Sequence, residues 1–118
     1  MRHGNHKYTL GVKPAHRQAI IKNLAIEVFE HGQIKTTHAR CMALRSYVEK
    51  LITLAKEDSV HNRRTAYTKL NNKDAVTNLF TKVAPKFKTR NGGYTRVIKI
   101  ADGRVGDSAK MSYFSLVD

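Results

Sequence analysis

The residues whose chemistry could support catalysis or metal binding are few and widely spaced. His38 and Cys41 stand three positions apart, but two ligands do not close a zinc site. Cys41 also falls on an apolar helical stripe, where a thiol behaves as a small hydrophobe. The 9 acidic residues show no D-x-D or E-x-x-H spacing that would pair carboxylates. The sequence therefore predicts a protein that is not an enzyme, with no metal, cofactor or small-molecule substrate.

Positive charge is the dominant chemical property of the chain. Lysine and arginine number 22 against 9 acidic residues, which gives a formal net charge of +13 and a pI near 10.2. Two long segments, before Glu27 and between Asp74 and Asp102, contain cations and no acid. Such a chain repels itself unless an acidic partner neutralises it, and nucleic acid is the leading candidate. An anionic membrane surface is the second candidate.

Membrane insertion and secretion find little support in the sequence. No apolar run approaches the roughly 18–20 residues that a spanning helix needs. The first residues lack the apolar region of a secretory signal. The single cysteine, Cys41, cannot form an internal disulfide, which agrees with a reducing compartment. We therefore expect a cytoplasmic protein with no membrane partner.

Common nucleic-acid-reading motifs do not occur in the sequence. It has no zinc-finger spacing, no basic-zipper heptads and no RNP-like aromatic octet. The turn Asn91–Gly93 precedes a predicted strand instead of following one, so it is not a nucleotide-binding loop. The two separate basic segments favour a distributed phosphate-binding surface that recognises folded RNA by its shape.

The stretch from Ile34 to Lys56 is the element on which the rest of the chain is expected to pack. It begins as a strand and continues as a helix, and its apolar residues fall on one helical stripe. That stripe consists of Cys41, Leu44, Val48, Leu51, Ile52 and Ala55. Arg45 and Lys56 border it, which predicts a helix that contacts a core and an acidic partner together.

The other elements are predicted from helix starts, helix stops and β-branched runs. The first is a helix from Pro14 to Gly32, followed by a strand at Gln33–Thr37. Two further helices are predicted, one opened by Asp58 and Ser59 and ending near Leu70, and one opened by an Asn71–Asp74 capping box and ended by Pro85. Two strands follow, at Tyr94–Ala101 and Ala109–Val117. The last two strands are expected to form an antiparallel hairpin. The order helix, strand, three helices, two strands predicts one two-layer α+β domain over residues 14–118, with helices packed on a small three-stranded mixed sheet.

Two features allow more than one interpretation. Residues 1–13 have no period, and we interpret them as an extended basic arm. Such an arm is either a disordered terminus or a segment that becomes ordered on RNA or DNA. Arg17 lies in the first turn of the first predicted helix. It either snorkels along the edge of the core or contacts a phosphate.

Short motifs are spread over most of the chain in a defined order. They are Met1–His3, His16-Arg17, Asn23–Ala25, IKTT at Ile34–Thr37, Leu44-Arg45, LITLAK at Leu51–Lys56, Asp58–Val60, Asn62–Arg64, GGYTR at Gly92–Arg96 and Leu116–Asp118. In this order and spacing they resemble the bacterial ribosomal large-subunit proteins of the L-seventeen family. The resemblance is specific because it extends over nearly the full length.

The resemblance implies a structural constituent of the large ribosomal subunit that takes part in translation. Proteins of this family bind rRNA on the solvent side, near the nascent-chain exit, beside other ribosomal proteins. Large-subunit rRNA and neighbouring large-subunit proteins are therefore the expected partners, in cytoplasmic ribosomes. A free nucleic-acid-binding module, for instance a nucleoid or regulatory protein, is the alternative from another class. An RNA-processing enzyme would lack a catalytic constellation.

The motif positions and the basic segments supply the candidate RNA contacts, mostly to phosphate and sugar. The candidates are Arg2, His3, His16, Arg17, Lys35, Arg45, Lys56, Arg63, Arg64, Lys88, Arg90, Gly92, Gly93, Tyr94, Arg96 and Lys99. Gly92 and Gly93 would allow close approach of the backbone to RNA. Tyr94 either stacks on a base or sugar or, as a residue at the start of a strand, lies half-buried in the core.

Overall fold

The computed structural model describes residues 10–101 and 103–117, and there the elements follow the predicted order. The helices are α1 (Pro14–His31), α2 (His38–Ala55), α3 (Val60–Leu70) and α4 (Lys73–Asn78), the last continued by a π-helical turn (Leu79–Val83) and a 3₁₀ turn (Ala84–Phe87). The strands are β1 (Gln33–Thr37), β2 (Thr95–Lys99) and β3 (Met111–Leu116). Only residues 10–13 of the predicted arm are described. None of the described helices is long and apolar enough to span a bilayer.

The three strands form one sheet in the order β1-β3-β2, and both pairings are antiparallel. The predicted hairpin of the last two strands is confirmed, whereas the prediction of a mixed sheet is wrong. Backbone hydrogen bonds at both ends of β3 fix its direction beside β1. The N–H of Leu116 donates to the carbonyl of Gly32, and the N–H of His38 donates to the carbonyl of Lys110, each over 2.9 Å.

The helices pack on one face of this sheet, and α2 lies at the centre of the contact. The predicted stripe of α2 is confirmed: Cys41, Leu44, Val48, Leu51, Ile52 and Ala55 are all buried. Side chains alternate along β3, so Ser112 and Phe114 face this core while Tyr113 faces away. The result is the two-layer α+β arrangement that the element order predicts.

The start and the end of the fourth helix differ in detail from the predicted ones. Asn71 ends α3 in the left-handed conformation (φ 54°), so Asn72 caps α4 and its side chain accepts a backbone N–H over 2.9 Å. Pro85 does not end the fourth helical segment, because it sits in the first turn of the 3₁₀ turn, where a missing N–H is tolerated. The chain continues to the buried Phe87. Thr37 precedes α2 at the capping position, but its side chain makes no capping bond.

The outer side of α3 also departs from prediction. By helical spacing Val60 and Tyr67 share one face of α3 with Ala66 and Leu70, which predicts that all four lie in the core. Ala66 and Leu70 are buried, but Val60 is 66% and Tyr67 42% exposed. The core contact of α3 is narrow, because Ala66 and Leu70 are its buried residues, while Arg63 covers the ring of Phe80 with its guanidinium. A short helix with two buried residues therefore presents apolar side chains to solvent.

The thiol of Cys41 is expected to be inert in the folded protein. It is fully buried, its Sγ donates to the carbonyl of Ser112 over 3.8 Å, and burial raises its pKa from 9.0 to about 11. At about pH 8 the reactive thiolate would fall from roughly 10% in the unfolded chain to roughly 0.1%. An aromatic disulfide reagent should therefore label Cys41 only after denaturant is added. Equal labelling rates in native and denatured protein would contradict this placement.

Candidate nucleic-acid interface

Three adjoining depressions cross the outward side of α2 and form one groove, which we call the α2 groove. The first lies between α1, α2 and α3, and Ser46 and Lys50 of α2 line it. The second shares these two residues and reaches the turn at Gly92. The third shares Met42 and Arg45 with the second and ends against β2. The groove therefore runs from the helical layer to one edge of the sheet.

Cations dominate the lining of the α2 groove. Seven lysine and arginine residues line it: Arg17, Lys22, Arg45, Lys50, Lys69, Arg96 and Lys99. The carboxylate in the same lining belongs to Glu49. Its Oε1 accepts hydrogen bonds from the N–H of Tyr94 over 3.1 Å and from the hydroxyl of Thr95 over 3.2 Å. Glu49 therefore ties β2 to α2, and the cations of the groove greatly outnumber its one acid.

The amphipathic pattern of α2 explains why these residues face outward. Met42, Ser46 and Lys50 recur at intervals of four residues on the side of the helix opposite the buried stripe. Burial of the stripe turns that side toward solvent, and Arg45 lies exposed at its flank. Arg17 is half-buried in the first turn of α1 while lining the groove, which agrees with both interpretations of it.

Tyr94 belongs to the core, and its predicted alternative of stacking on RNA is not available in this conformation. The ring is 2% exposed and packs on Phe87, with ring centroids 5.2 Å apart. The hydroxyl of Thr53 donates to Tyr94 Oη over 3.2 Å, and this hydrogen bond lowers the pKa of Tyr94. Lys56 Nζ donates to the same oxygen over 3.3 Å and to the carbonyl of Arg90 over 2.6 Å. Lys56 thus fastens the turn before β2 to the end of α2.

The two glycines of that turn adopt backbone conformations that favour glycine. The φ angles are +114° at Gly92 and +63° at Gly93. A Cβ atom added at either residue would meet no other atom within 4 Å, so the space beside them is open. Gly92 also lines the α2 groove. Close approach of another molecule to this backbone is therefore sterically possible.

Arg63 and Arg64 are adjacent in sequence but differ in their environment. Arg63 donates to both carboxylate oxygens of Asp58, over 2.6 and 2.8 Å, and its guanidinium lies 5.0 Å from the centre of the Phe80 ring. The hydrogen bond from Arg63 lowers the pKa of Asp58. Arg64 is exposed on α3, outside the α2 groove. Arg63 thus has a structural function, while Arg64 is available to a partner.

The remaining predicted contacts are dispersed. Lys35 lies on β1, and the alternation of β2 places the side chain of Arg96 on the same outer face of the sheet. His16, Lys88 and Arg90 are exposed and line none of the three depressions. Arg2 and His3 lie outside the described residues.

Three lysines of the groove were missed by the sequence analysis: Lys22, Lys50 and Lys69. A signal for Lys50 exists, because it follows Ser46 by four residues on the outward side of α2. Lys22 and Lys69 carry no such signal. They become neighbours of Lys50 only because α1 and α3 both pack against α2.

The polar atoms of His38 and Cys41 are both directed at Ser112. His38 Nδ1 lies 2.8 Å from Ser112 Oγ, and Cys41 Sγ contacts its carbonyl. Another set of possible metal ligands among the described residues comprises Glu27, Glu30 and His31. All of these are exposed, and His31 Nε2 already lies 3.3 Å from Glu27 and 3.8 Å from Glu30. Neighbouring charged groups on a helix surface explain this cluster without a metal.

A comparison with known protein families matches most of the chain. The family described as ribosomal protein L17 matches residues 20–117, which includes all elements except the first turns of α1. The match confirms the resemblance carried by the sequence motifs. Proteins of this family are structural and non-enzymatic components of the large ribosomal subunit. The chain therefore belongs to the ribosomal protein L17 family and is a structural protein of the large ribosomal subunit that takes part in translation.

Proposed function

We propose that this protein binds large-subunit rRNA through the α2 groove and the basic surface around it. The seven cations that line the groove, set against one hydrogen-bonded acid, are the observation that carries this proposal. Phosphate oxygens of folded RNA match such a lining, because lysine and arginine recognise them by charge and by hydrogen bonding. The protein would fix neighbouring RNA segments in place without reading their sequence.

The distribution of the cations supports recognition by shape. They come from α1, α2, α3 and β2, so their spacing is set by the tertiary fold and not by one helix. A rigid surface of this kind fits RNA whose phosphates are already held in place by its own fold. The exposed residues Arg64, Lys88 and Arg90 extend the positive surface beyond the groove.

The family resemblance supports a position near the nascent-chain exit, on the solvent side of the subunit. Neighbouring large-subunit proteins would then contact surfaces that the RNA leaves open. The exposed apolar side chains of α3, Val60 and Tyr67, are suited to such a protein contact. Cross-linking of stalled nascent chains to the protein is expected if this position is right.

Sedimentation separates ribosome assembly from the alternative of a free nucleic-acid-binding protein. A tagged copy expressed in cells is expected to run with large subunits in a sucrose gradient and to stay with them at moderate salt. Recovery of the tagged protein only at the top of the gradient, while subunits run below it, would contradict the proposal. A free nucleoid protein would instead follow the DNA and be released by deoxyribonuclease.

A further inference from the structure

The outer face of the sheet is a second surface with the properties of a nucleic-acid contact. In the described part of the chain no helix covers it, and its side chains form cross-strand rows. One row consists of Lys35, Tyr113 and Ile98, and the next consists of Gln33, Ser115 and Arg96. Tyr113 stands on the central strand and is 36% exposed, while Ile98 beside it is 48% exposed. An aromatic ring thus lies at the middle of an open face.

Neighbours on both sides hold the position of this ring. Side chains directly opposite one another in an antiparallel sheet have Cβ atoms about 5 Å apart. Lys35 on β1 and Ile98 on β2 are both directly opposite Tyr113, so an aliphatic stem and a branched aliphatic group flank its ring. Side chains on both sides restrict the space open to the ring before a ligand arrives, which reduces the entropy lost on binding.

The charges of this face select an anionic partner. Lys35 and Arg96 stand on the two outer strands in neighbouring rows, about 12 Å apart diagonally across the sheet, with Tyr113 on the strand between them. None of the six residues in the two rows carries negative charge. Cations on both sides of an exposed aromatic ring match a nucleotide chain, with its base on the ring and its phosphates toward the edges. An apolar protein surface would leave both cations without a partner.

We propose that the outer face of the sheet binds an unpaired nucleotide of RNA by stacking its base on Tyr113, with Lys35 and Arg96 contacting the flanking phosphates. This proposal rests on the proposed function for the identity of the RNA, but it concerns the outer face of the sheet, which meets the α2 groove only at the sheet edge, where Arg96 belongs to both. The groove takes phosphates of folded RNA, whereas the sheet face takes a base that is free to stack. The protein would then hold a single-stranded segment on one side and structured RNA on the other.

The test uses a fluorescent single-stranded hexauridylate and measures its binding by anisotropy at low salt. The protein carries Arg45→Glu and Lys50→Glu, so that phosphate binding in the α2 groove does not mask the sheet face. Adding Tyr113→Ala is expected to weaken binding about tenfold, because one base–aromatic stack is lost. Adding Tyr113→Phe should change the affinity less than about twofold, since the phenyl ring still stacks.

Tyr67→Ala is the matched control, because Tyr67 is similarly exposed, at 42%, but lies on α3. It should leave hexauridylate binding unchanged. The protein that carries only Arg45→Glu and Lys50→Glu is the parent of these variants. Equal affinities of the parent and the Tyr113→Ala variant for hexauridylate, or no detectable binding of hexauridylate by the parent, would overturn the sheet-face proposal. The proposal would also fail if Tyr113→Ala left hexauridylate binding unchanged in this background but, made alone in the unmodified protein, prevented it from joining the large subunit, because a protein would then occupy the face. The proposed function fails separately if the parent binds folded rRNA as tightly as the unmodified protein.

Discussion

A variant carrying both Arg45→Glu and Lys50→Glu is expected to bind folded large-subunit rRNA about 100-fold more weakly. This corresponds to a loss of roughly 1.4 kcal/mol of binding free energy for each charge reversal. Both residues line the second depression of the α2 groove, where it joins its two neighbours. Each substitution removes a cation and brings a carboxylate to the same phosphates. The fold should persist, because both side chains are exposed.

The salt dependence of binding provides a second readout for this variant. Each lost phosphate contact lowers the slope of log affinity against log salt concentration by about 0.9, so the double variant should lose roughly 2 from the slope. Filter binding or anisotropy at several salt concentrations measures it. The matched control is Lys73→Glu with Lys82→Glu, which changes net charge equally at exposed positions outside the groove. Equal losses in both double variants would mean that net charge, and not the groove, determines binding.

Phe114→Ala is expected to lower the free energy of unfolding by about 3–5 kcal/mol. The side chain is fully buried at the centre of the inner sheet face, directly opposite Ile34 and Val97. Its removal takes away contacts with both outer strands and with the helical layer, and leaves a cavity. A domain of this size is stable by about 5–15 kcal/mol, so the variant would be partly unfolded or close to it.

Denaturant unfolding followed by circular dichroism measures this loss. Tyr113→Ala is the control on the neighbouring residue of the same strand, because its side chain faces solvent. Tyr113→Ala should lower the free energy of unfolding by about 1 kcal/mol or less, because strand propensities of different residues differ by no more than that. If the two variants lost equal stability, the assignment of inner and outer sheet faces would be wrong.

The sequence predicted α2 and its buried stripe because the helix obeys one local rule. Six apolar residues recur at helical spacing, and all six are buried. The strand β1 has the predicted bounds, since β-branched residues between a glycine and a helix start define it. Local patterns of this kind depend on residues within a few turns of one another.

The relative direction of the strands in the sheet could not be predicted in this way. β1 and β3 are separated by most of the chain, and no local feature of Gln33–Thr37 indicates which strand it meets or in which direction. The exposed positions of Val60 and Tyr67 have a similar cause. A helical wheel shows that they can share a face with Leu70, but the width of the core beneath α3 decides which of them is buried.

The sequence predicts the charge of the candidate interface, but only part of its position on the fold. Charge alone indicates an anionic partner, and four of the cations named as candidate RNA contacts, Arg17, Arg45, Arg96 and Lys99, lie along the α2 groove. Their contact with RNA stays a prediction. Lys56 and Tyr94 show the limit of this reasoning. A lysine and a tyrosine in basic motifs suggest RNA contacts, but here they bond to one another and hold the turn before β2.

The most direct test is a cryo-electron microscopy map of large subunits that contain this protein. We expect rRNA backbone density along the α2 groove, with phosphates within hydrogen-bonding distance of Arg45 and Lys50. A groove that faces solvent or is filled by another protein, with the rRNA elsewhere on the surface, would contradict it.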